Sequence, residues 1–384
     1  MATFTRENGM VEVLDQSEGH QSDLDASKSP RGQSETLANI PKISVIIVNH
    51  NGLNVISPLL DSLKRQTFSD FETLVVDNAS HDSSVSFIQR NFSWVKVVQN
   101  SENPGFAAAL NHGVELSSGE YVMMLNNDVV LEPRVLEELQ ASLQADPKLA
   151  IIQPKIRSLS SNGAFDYAGA AGGYMDYLGY PFCRGRVFDT IEEDHGQYDH
   201  PCYSFWAGGA AFMVRREVFK HIGTLDTEFV MYHEETDLCW RAHLAGFKVA
   251  CNPSTSAYHL GSYAFKTFRD EYRFFFMHRN SFHLLFKYYS RPALLAVIPT
   301  RSLFEFVNVI FALVKRRPAE AKSILRAFGS LLKQRRIVLA ELRTKRTRTS
   351  LPSKKIPIYP RPIVVDYFLL GKRTWSEVFS NGGR

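Results

Sequence analysis

Four apolar runs, each closed by a cluster of polar residues, constrain the fold of this chain more than any other feature. Ile43 to Val48 (ISVIIV) is unbroken and largely β-branched, the pattern of a strand buried on both faces of a parallel sheet. It stops on Asn49, His50, Asn51 and Gly52. Leu59, Leu60 and Leu63 then recur at helical spacing before Phe71 to Val76 (FETLVV), which stops on Asp77, Asn78, Ala79 and Ser80. A shorter run, Val95 to Val98, leads into Asn103 to Gly113 (NPGFAAALNHG), and Tyr121 to Val130 (YVMMLNNDVV) turns polar at Asn126, Asn127 and Asp128. Strand, turn, helix and strand in alternation predict a right-handed, mainly parallel α/β sheet whose ligands bind beyond the carboxyl ends of the strands.

Two places carry chemistry. A carboxylate at the end of a buried strand, such as Asp128, can hold a divalent cation that neutralises a diphosphate. Phe229 to Arg241 (FVMYHEETDLCWR) places Glu234, Glu235 and Asp237 beside His233 in otherwise apolar and aromatic surroundings, where a carboxylate can take a proton from an attacking hydroxyl. Together they point to metal-assisted group transfer from a nucleotide donor. Asp77 suits the imide N–H of a uracil or thymine ring, and Asp77, Asn78 and Ser80 equally suit capping of the next helix. No G-x-x-x-x-G-K-[ST] loop is present and no G-x-G-x-x-G follows the first run, so ATPase and dinucleotide-dehydrogenase readings lose their main support.

At 384 residues the chain can bury a full α/β core and an appendage. Its net charge of +4 conceals an asymmetry: Lys315 to Lys355 hold fourteen Lys or Arg against Glu320 and Glu341, while elsewhere 30 basic residues face 38 acidic ones. The basic block follows an apolar stretch, Ala293 to Val314, interrupted by Pro299, Arg301 and Glu305. Two charges disfavour a spanning helix, so a helix pair lying on the inner face of the cell membrane is expected, with a packing surface for homo-oligomerisation as the alternative. Nucleic acid is not expected as a partner. The four cysteines have no metal-ligand spacing, which favours a reducing cytoplasm, and MATFTRENGM does not resemble a secretory signal. The expected organisation is a disordered tail over 1–40, a catalytic domain over 41–290 and a helical, membrane-associating region over 291–384.

The series VNHNG (Val48 to Gly52), VVDNAS (Val75 to Ser80), NPGFAAALNHG, LNNDV (Leu125 to Val129), GGAAFMVRREVF (Gly208 to Phe219) and YHEETDLCWR (Tyr232 to Arg241) resembles the family 2 glycosyltransferases of the GT-A fold. Within that family it is most similar to the rhamnosyltransferase-like branch that builds bacterial cell-surface polysaccharides. The resemblance runs from about Ile43 to about Lys287 and implies a nucleotide-sugar-binding fold with a mixed, mainly parallel sheet. LNNDV takes the place of the D-x-D-like metal motif, which implies Mg²⁺ or Mn²⁺ at Asp128, with Asn126 where a first acid can stand and His259 as a further ligand. Asn49, Asn51, Asp77, Asn78, Asn103, Asn111 and Asn127 fall at positions that hold the donor nucleotide. Glu235 takes the place of the catalytic base, with Glu234 the other candidate. Trp206, Gly208 and Gly209 match the acceptor pocket.

Arg279 matches a phosphate-binding position, with an internal salt bridge as its other reading. Asp237, also placed in the acceptor or phosphate group, is equally able to pair with Arg241 at i,i+4. The Gly- and Tyr-rich stretch Asp166 to Gly185 is expected to be a mobile acceptor loop or an ordinary surface connection. The implied donor is a nucleoside diphosphate sugar, dTDP-L-rhamnose by resemblance or a UDP-hexose otherwise, and the implied acceptor is a lipid-linked saccharide. A membrane-bound sugar-nucleotide sensor is the non-enzymatic alternative.

Overall fold

In the computed structural model, which describes residues 40–161, 163–261, 270–333 and 356–380, the first strand, β1 (Ile43–Asn49), is buried at every position. Its side chains alternate between the two faces of the sheet: Ile46 and Val48 enter one apolar cluster, and Ile43, Val45 and Ile47 enter another. Two buried faces explain why the run is apolar throughout. There follow α1 (Ile56–Lys64), β2 (Phe71–Asp77), α2 (Ser84–Asn91), β3 (Lys96–Gln99), α3 (Phe106–Glu115), β4 (Tyr121–Asn126), β5 (Val129–Leu131), α4 (Val135–Ala145) and β6 (Leu149–Ser158). Next come the short strands β7 (Gly173–Met175), β8 (Pro181–Cys183), β9 (Arg186–Val187), β10 (Thr190–Ile191) and β11 (Cys202–Ser204), then β12 (Ala211–Arg215), α5 (Val218–Ile222), α6 (Glu234–Leu244) and β13 (Lys248–His259). The remaining elements are α7 (Asp270–Tyr288), α8 (Arg291–Val314), α9 (Pro318–Lys333), α10 (Ile363–Phe368) and α11 (Trp375–Phe379). The tail expected over 1–40 lies outside the described residues, apart from Ile40, as does all of the basic block beyond Lys333.

The main sheet has the order β11-β13-β6-β12-β4-β1-β2-β3, with β5 added along β13. β1 is parallel to both β2 and β4, and β2 to β3, so their polar ends line up on one edge. β12 inserts antiparallel between β4 and β6, making the sheet mixed. β13 runs parallel to β6 and, at its far end, antiparallel to β5, which sets His259 opposite Val129. Two chemically unlike segments are thereby brought to the same edge.

The stretch Asp166–Gly185 is neither a mobile loop nor a surface connection. It is mostly buried and forms β7 and β8 of a second, four-stranded sheet with β9 and β10. Glycines at positive φ, Gly169, Gly172, Gly179 and Gly185, allow the sharp reversals that conceal any periodicity. Residues 356–380 cover this sheet: Tyr359 exchanges backbone hydrogen bonds with Met175 and Tyr177, and the Trp375 ring lies 4.1 Å from that of Tyr174.

The C-terminal helices share the main core. Phe282 and Leu285 of α7, Leu294 and Val297 of α8 and Leu331 of α9 belong to the same cluster as Ile46. In α8 the two interrupting charges turn inward: Arg301 donates to Glu305 at 2.9 Å and to the Leu178 carbonyl at 3.0 Å, and His278 of α7 lies 2.9 Å from Glu305. By length and composition alone, α8 is the one helix among the described residues that could cross a membrane.

Candidate active site

The strand ends that stood out in the sequence form a continuous hydrogen-bonded rim. Asn49 is fully buried and its amide donates to Asp77 at 2.8 Å and to Ser84 at 3.0 Å, while Asn127 donates to the Asn49 side-chain oxygen Oδ1 at 3.1 Å. Asp77, also fully buried, accepts from the Ser80 hydroxyl and amide at 2.6 and 3.0 Å. Gly52 is required here, because a Cβ would stand 2.1 Å from Asn49 Oδ1 and 2.4 Å from Asn127 Nδ2. Asn51, at positive φ, accepts from the His81 amide, and Asn78 donates to the Gly105 carbonyl. Asn103 is exposed and accepts from Gly105 N. Asn111 is engaged elsewhere: its amide group donates to and accepts from the Leu225 backbone at 2.8 and 3.0 Å, tying α3 to the segment before α6.

Beyond β4 the turn presents Asp128, which the pairing of β5 with β13 places beside His259. The imidazole Nε2 lies 3.2 Å from Asp128 and 3.4 Å from the Asn126 amide. Its Nδ1 lies 3.1 Å from Asp166, the first residue of the stretch expected to be an acceptor loop or a surface connection. All three ionisable side chains are buried. Burial opposes a charged imidazole, but the hydrogen bonds and charges of Asp128 and Asp166 outweigh it and push the His259 pKa up to about 10. Asp166 is itself fixed by the Ala168 amide at 2.8 Å.

Asp128 and His259 offer one oxygen and one nitrogen ligand, and a carboxylate behind the imidazole is the usual outer partner of a metal-binding histidine. This donor set fits Mg²⁺ or Mn²⁺, which commonly take their remaining ligands from water and substrate phosphates. Among the described residues, no group of three His, Cys, Asp or Glu side chains is arranged to hold a metal alone.

The second pair of acids reaches the same neighbourhood through the segment before β12. Asn126 N donates to Ala210 O at 3.0 Å, and the Glu235 carboxylate lies 3.6 Å from where a Cβ on Gly209 would stand. Gly208 has no room for a side chain, since a Cβ would meet the Ala168 carbonyl at 2.3 Å, and Gln153 holds its amide at 2.6 Å. Trp206 is buried, with its indole N–H on the Tyr174 carbonyl and its ring over Gly173.

Glu234 and Glu235 begin α6 directly after two residues in the left-handed region, Tyr232 at φ 66° and His233 at φ 71°. Such non-glycine conformations cost about 1–3 kcal/mol each and persist only where the surroundings enforce them. Asn280 of α7 does so: its amide donates to the Met231 and Tyr232 carbonyls at 2.7 and 2.8 Å, and its oxygen accepts from Arg279 at 3.0 Å. Arg279 also donates to the Glu228 carbonyl, so its guanidinium braces the loop before the turn. Asp237 is fully buried and binds Arg241 at 2.8 Å, Lys287 at 2.6 Å and the Tyr288 hydroxyl at 2.5 Å, anchoring α6 to α7.

The two glutamates differ in setting. Glu234 is buried with Oε2 lacking a hydrogen-bond partner, and burial followed by the charge of Glu235 raises its pKa well above the usual carboxylate range. Glu235 is partly exposed; burial pushes its pKa up to about 7, against the stabilising hydrogen bonds of its own backbone and of Thr236. Both shifts favour the protonated carboxyl, and Glu235, at about 7, is the one placed to take up a proton near neutral pH.

A mixed, mainly parallel sheet with acids and amides collected beyond its strand ends is the α/β arrangement that the sequence resemblance implies. Residues 44–223 match the model of glycosyl transferase family 2, which supports placing that stretch, a little under half of the chain, in this family. O-antigen biosynthesis protein RfbC of Myxococcus xanthus is 28% identical over 223 residues, covering 57% of this chain and 17% of that protein. The low-salt glycan biosynthesis hexosyltransferase Agl10 of Haloferax volcanii is 24% identical over 245 residues, covering 62% of this chain and 74% of its own length. Among solved structures, the mannosyltransferase PcManGT of Pyrobaculum calidifontis with GDP-Man and Mn²⁺ aligns with 78% of this chain and 81% of its own, at 16% identity and a TM-score of 0.48. The chain spans less than half the length of the first curated relatives it matches.

Proposed function

We propose that this chain is a glycosyltransferase that moves a sugar from a nucleoside diphosphate donor to a hydroxyl of a lipid-linked saccharide in cell-surface polysaccharide assembly, with L-rhamnose from dTDP-L-rhamnose as the particular donor. The observation that carries the reading is the convergence of Glu235 and the Asn126–Asp128 turn on the Gly209–Ala210 backbone. The motif series favours the rhamnosyl donor.

In this reading Glu235 accepts the proton of the acceptor hydroxyl. The freed oxygen bonds to the anomeric carbon from the face opposite the leaving group, and the bond to the nucleoside diphosphate breaks with its electron pair on the phosphate oxygen, inverting the centre. Asp128 and His259 would hold a divalent cation, which would neutralise charge on the departing diphosphate. Asp166 faces His259 Nδ1, and a bound cation would take the place of the Nε2 proton that Asp128 otherwise accepts. The rim of Asn49, Asp77 and Asn127 shapes the nucleotide end of the cleft.

Transfer assays with dTDP-, UDP- and GDP-sugars and lipid-linked saccharide acceptors, each with and without Mn²⁺, test the proposal. Metal-dependent turnover of dTDP-L-rhamnose is expected. Turnover of a UDP-hexose instead would replace the donor, and donor binding without transfer to any acceptor would leave a nucleotide-sugar-binding protein. Asp166→Asn is expected to weaken Mn²⁺ binding by about 10- to 100-fold, read by calorimetric titration without substrate; unchanged affinity would remove Asp166 from the metal's support.

A further inference from the structure

The six buried positions of α8, Leu294, Val297, Arg301, Glu305, Val309 and Ala312, recur three or four apart and form its inner stripe. The two charges inside the helix, Arg301 and Glu305, lie on that stripe, at 3% and 0% exposure. The opposite stripe, Leu303, Phe306, Val307, Ile310, Phe311 and Val314, is apolar at every position and exposed, with Leu303 at 61%, Phe306 at 60% and Val314 at 74%. An uncovered apolar stripe of this length marks an interaction surface.

Its surroundings specify the partner. Lys315, Arg316 and Arg317 close the helix and are exposed. An open groove between α8 and α9 is lined by Val309, Leu313, Ala321 and Leu325, with Lys322 and Arg326 at the same opening. The nearest acids are weak competitors, since Arg317–Glu320 and Arg326–Glu271 are separated by 3.8 and 3.9 Å at partly exposed positions. Apolar side chains bordered by cations match acyl chains beneath anionic headgroups. A second copy of the chain would bring the same five cations against them.

We propose that the outer stripe of α8 and the basic edge of α9 seat the protein on an anionic lipid bilayer, on the cytoplasmic face of the membrane, with α8 lying in the plane of the interface. Crossing is disfavoured because the inner stripe is committed to the protein: a transverse α8 would carry Arg301, Glu305 and His278 into hydrocarbon together with the Leu178 backbone. The inference adds a docking surface to the proposed transferase and stands whichever sugar is moved.

The test is co-sedimentation of the full chain with phosphatidylcholine vesicles, with and without phosphatidylglycerol. Binding to the phosphatidylglycerol vesicles, weakened by salt, is expected. The Phe306→Asp/Ile310→Asp variant should bind at least about tenfold more weakly while far-UV circular dichroism and the melting midpoint stay those of the parent, and Lys322→Glu/Arg326→Glu should lose the preference for anionic lipid. Parent protein that ignores both vesicles, or aspartate substitutions that leave binding unchanged, overturns the proposal. A lipid-free dimer that the aspartates split assigns the surface to a second copy instead. Resistance of the membrane-bound protein to alkaline carbonate extraction would make α8 a spanning helix. Because binding is read without donor or acceptor, a failed transferase assignment leaves the result standing.

Discussion

Glu235→Gln is expected to lower kcat for sugar transfer by about 10²–10⁴-fold, the usual contribution of a positioned general base, with little change in donor affinity. The amide keeps the shape and a hydrogen-bonding oxygen but cannot take the proton. The parent should show an acid limb in kcat with an apparent pKa near 7, the value to which burial pushes Glu235, and the variant's residual rate should lack it. Stability moves the opposite way. The folded protein holds the Glu235 proton more tightly than the unfolded chain, so that contribution is complete below the ordinary carboxyl value of 4.5 and is lost as pH rises through about 7. Glu235→Gln removes the loss, and above pH 7 the variant should be more stable than the parent by on the order of 2 kcal/mol, the gain vanishing in acid. Chemical denaturation at several pH values measures this. Full turnover in Glu235→Gln with loss in Glu234→Gln would transfer the role to Glu234.

Asn280→Ala should produce the second largest effect, at a residue proposed to touch neither substrate. Without its amide the Met231 and Tyr232 carbonyls lose their shared donor and the strained pair before α6 is free to relax. Misplacement of a reacting group by about 1 Å can cost about 10²-fold, so kcat should fall by roughly that factor while the donor KM is nearly unchanged. The acid limb should also shift, because the burial that raises the Glu235 pKa depends on where the turn sits. Asn280→Asp keeps one carbonyl-sized oxygen but loses the donors and should not restore the rate. A merely structural asparagine would lower the yield of folded enzyme and leave the kcat and pH profile of the soluble fraction intact.

The elements most legible in the sequence were those whose burial is two-sided and local. β1, β2 and β4 are apolar runs with polar ends, and in the structure those ends form the Asn49–Asp77–Asn127 rim. The pairing of Asp237 with Arg241 was legible for the same reason, since it spans one helical turn. Contacts set by strand pairing were not. His259 meets Asp128 because β13 closes on β5, and Asp166 meets His259 because the chain folds back after β6; neither has a period. Arg279, read as a phosphate ligand or as one side of an internal salt bridge, donates to the Glu228 carbonyl, and its neighbour Asn280 carried no signal until the backbone conformation of Tyr232 and His233 was known.

α7 has a mechanical consequence. Along one rod, His278 grips α8, Arg279 and Asn280 grip the turn before the glutamates, and Lys287 and Tyr288 grip Asp237. The proposed lipid-facing and sugar-handling parts are therefore braced against independent movement. On a bilayer such a brace would act as a ruler: the reacting carboxylate would stand at one height above the headgroups, and saccharides would be sorted by how far they rise from their anchor.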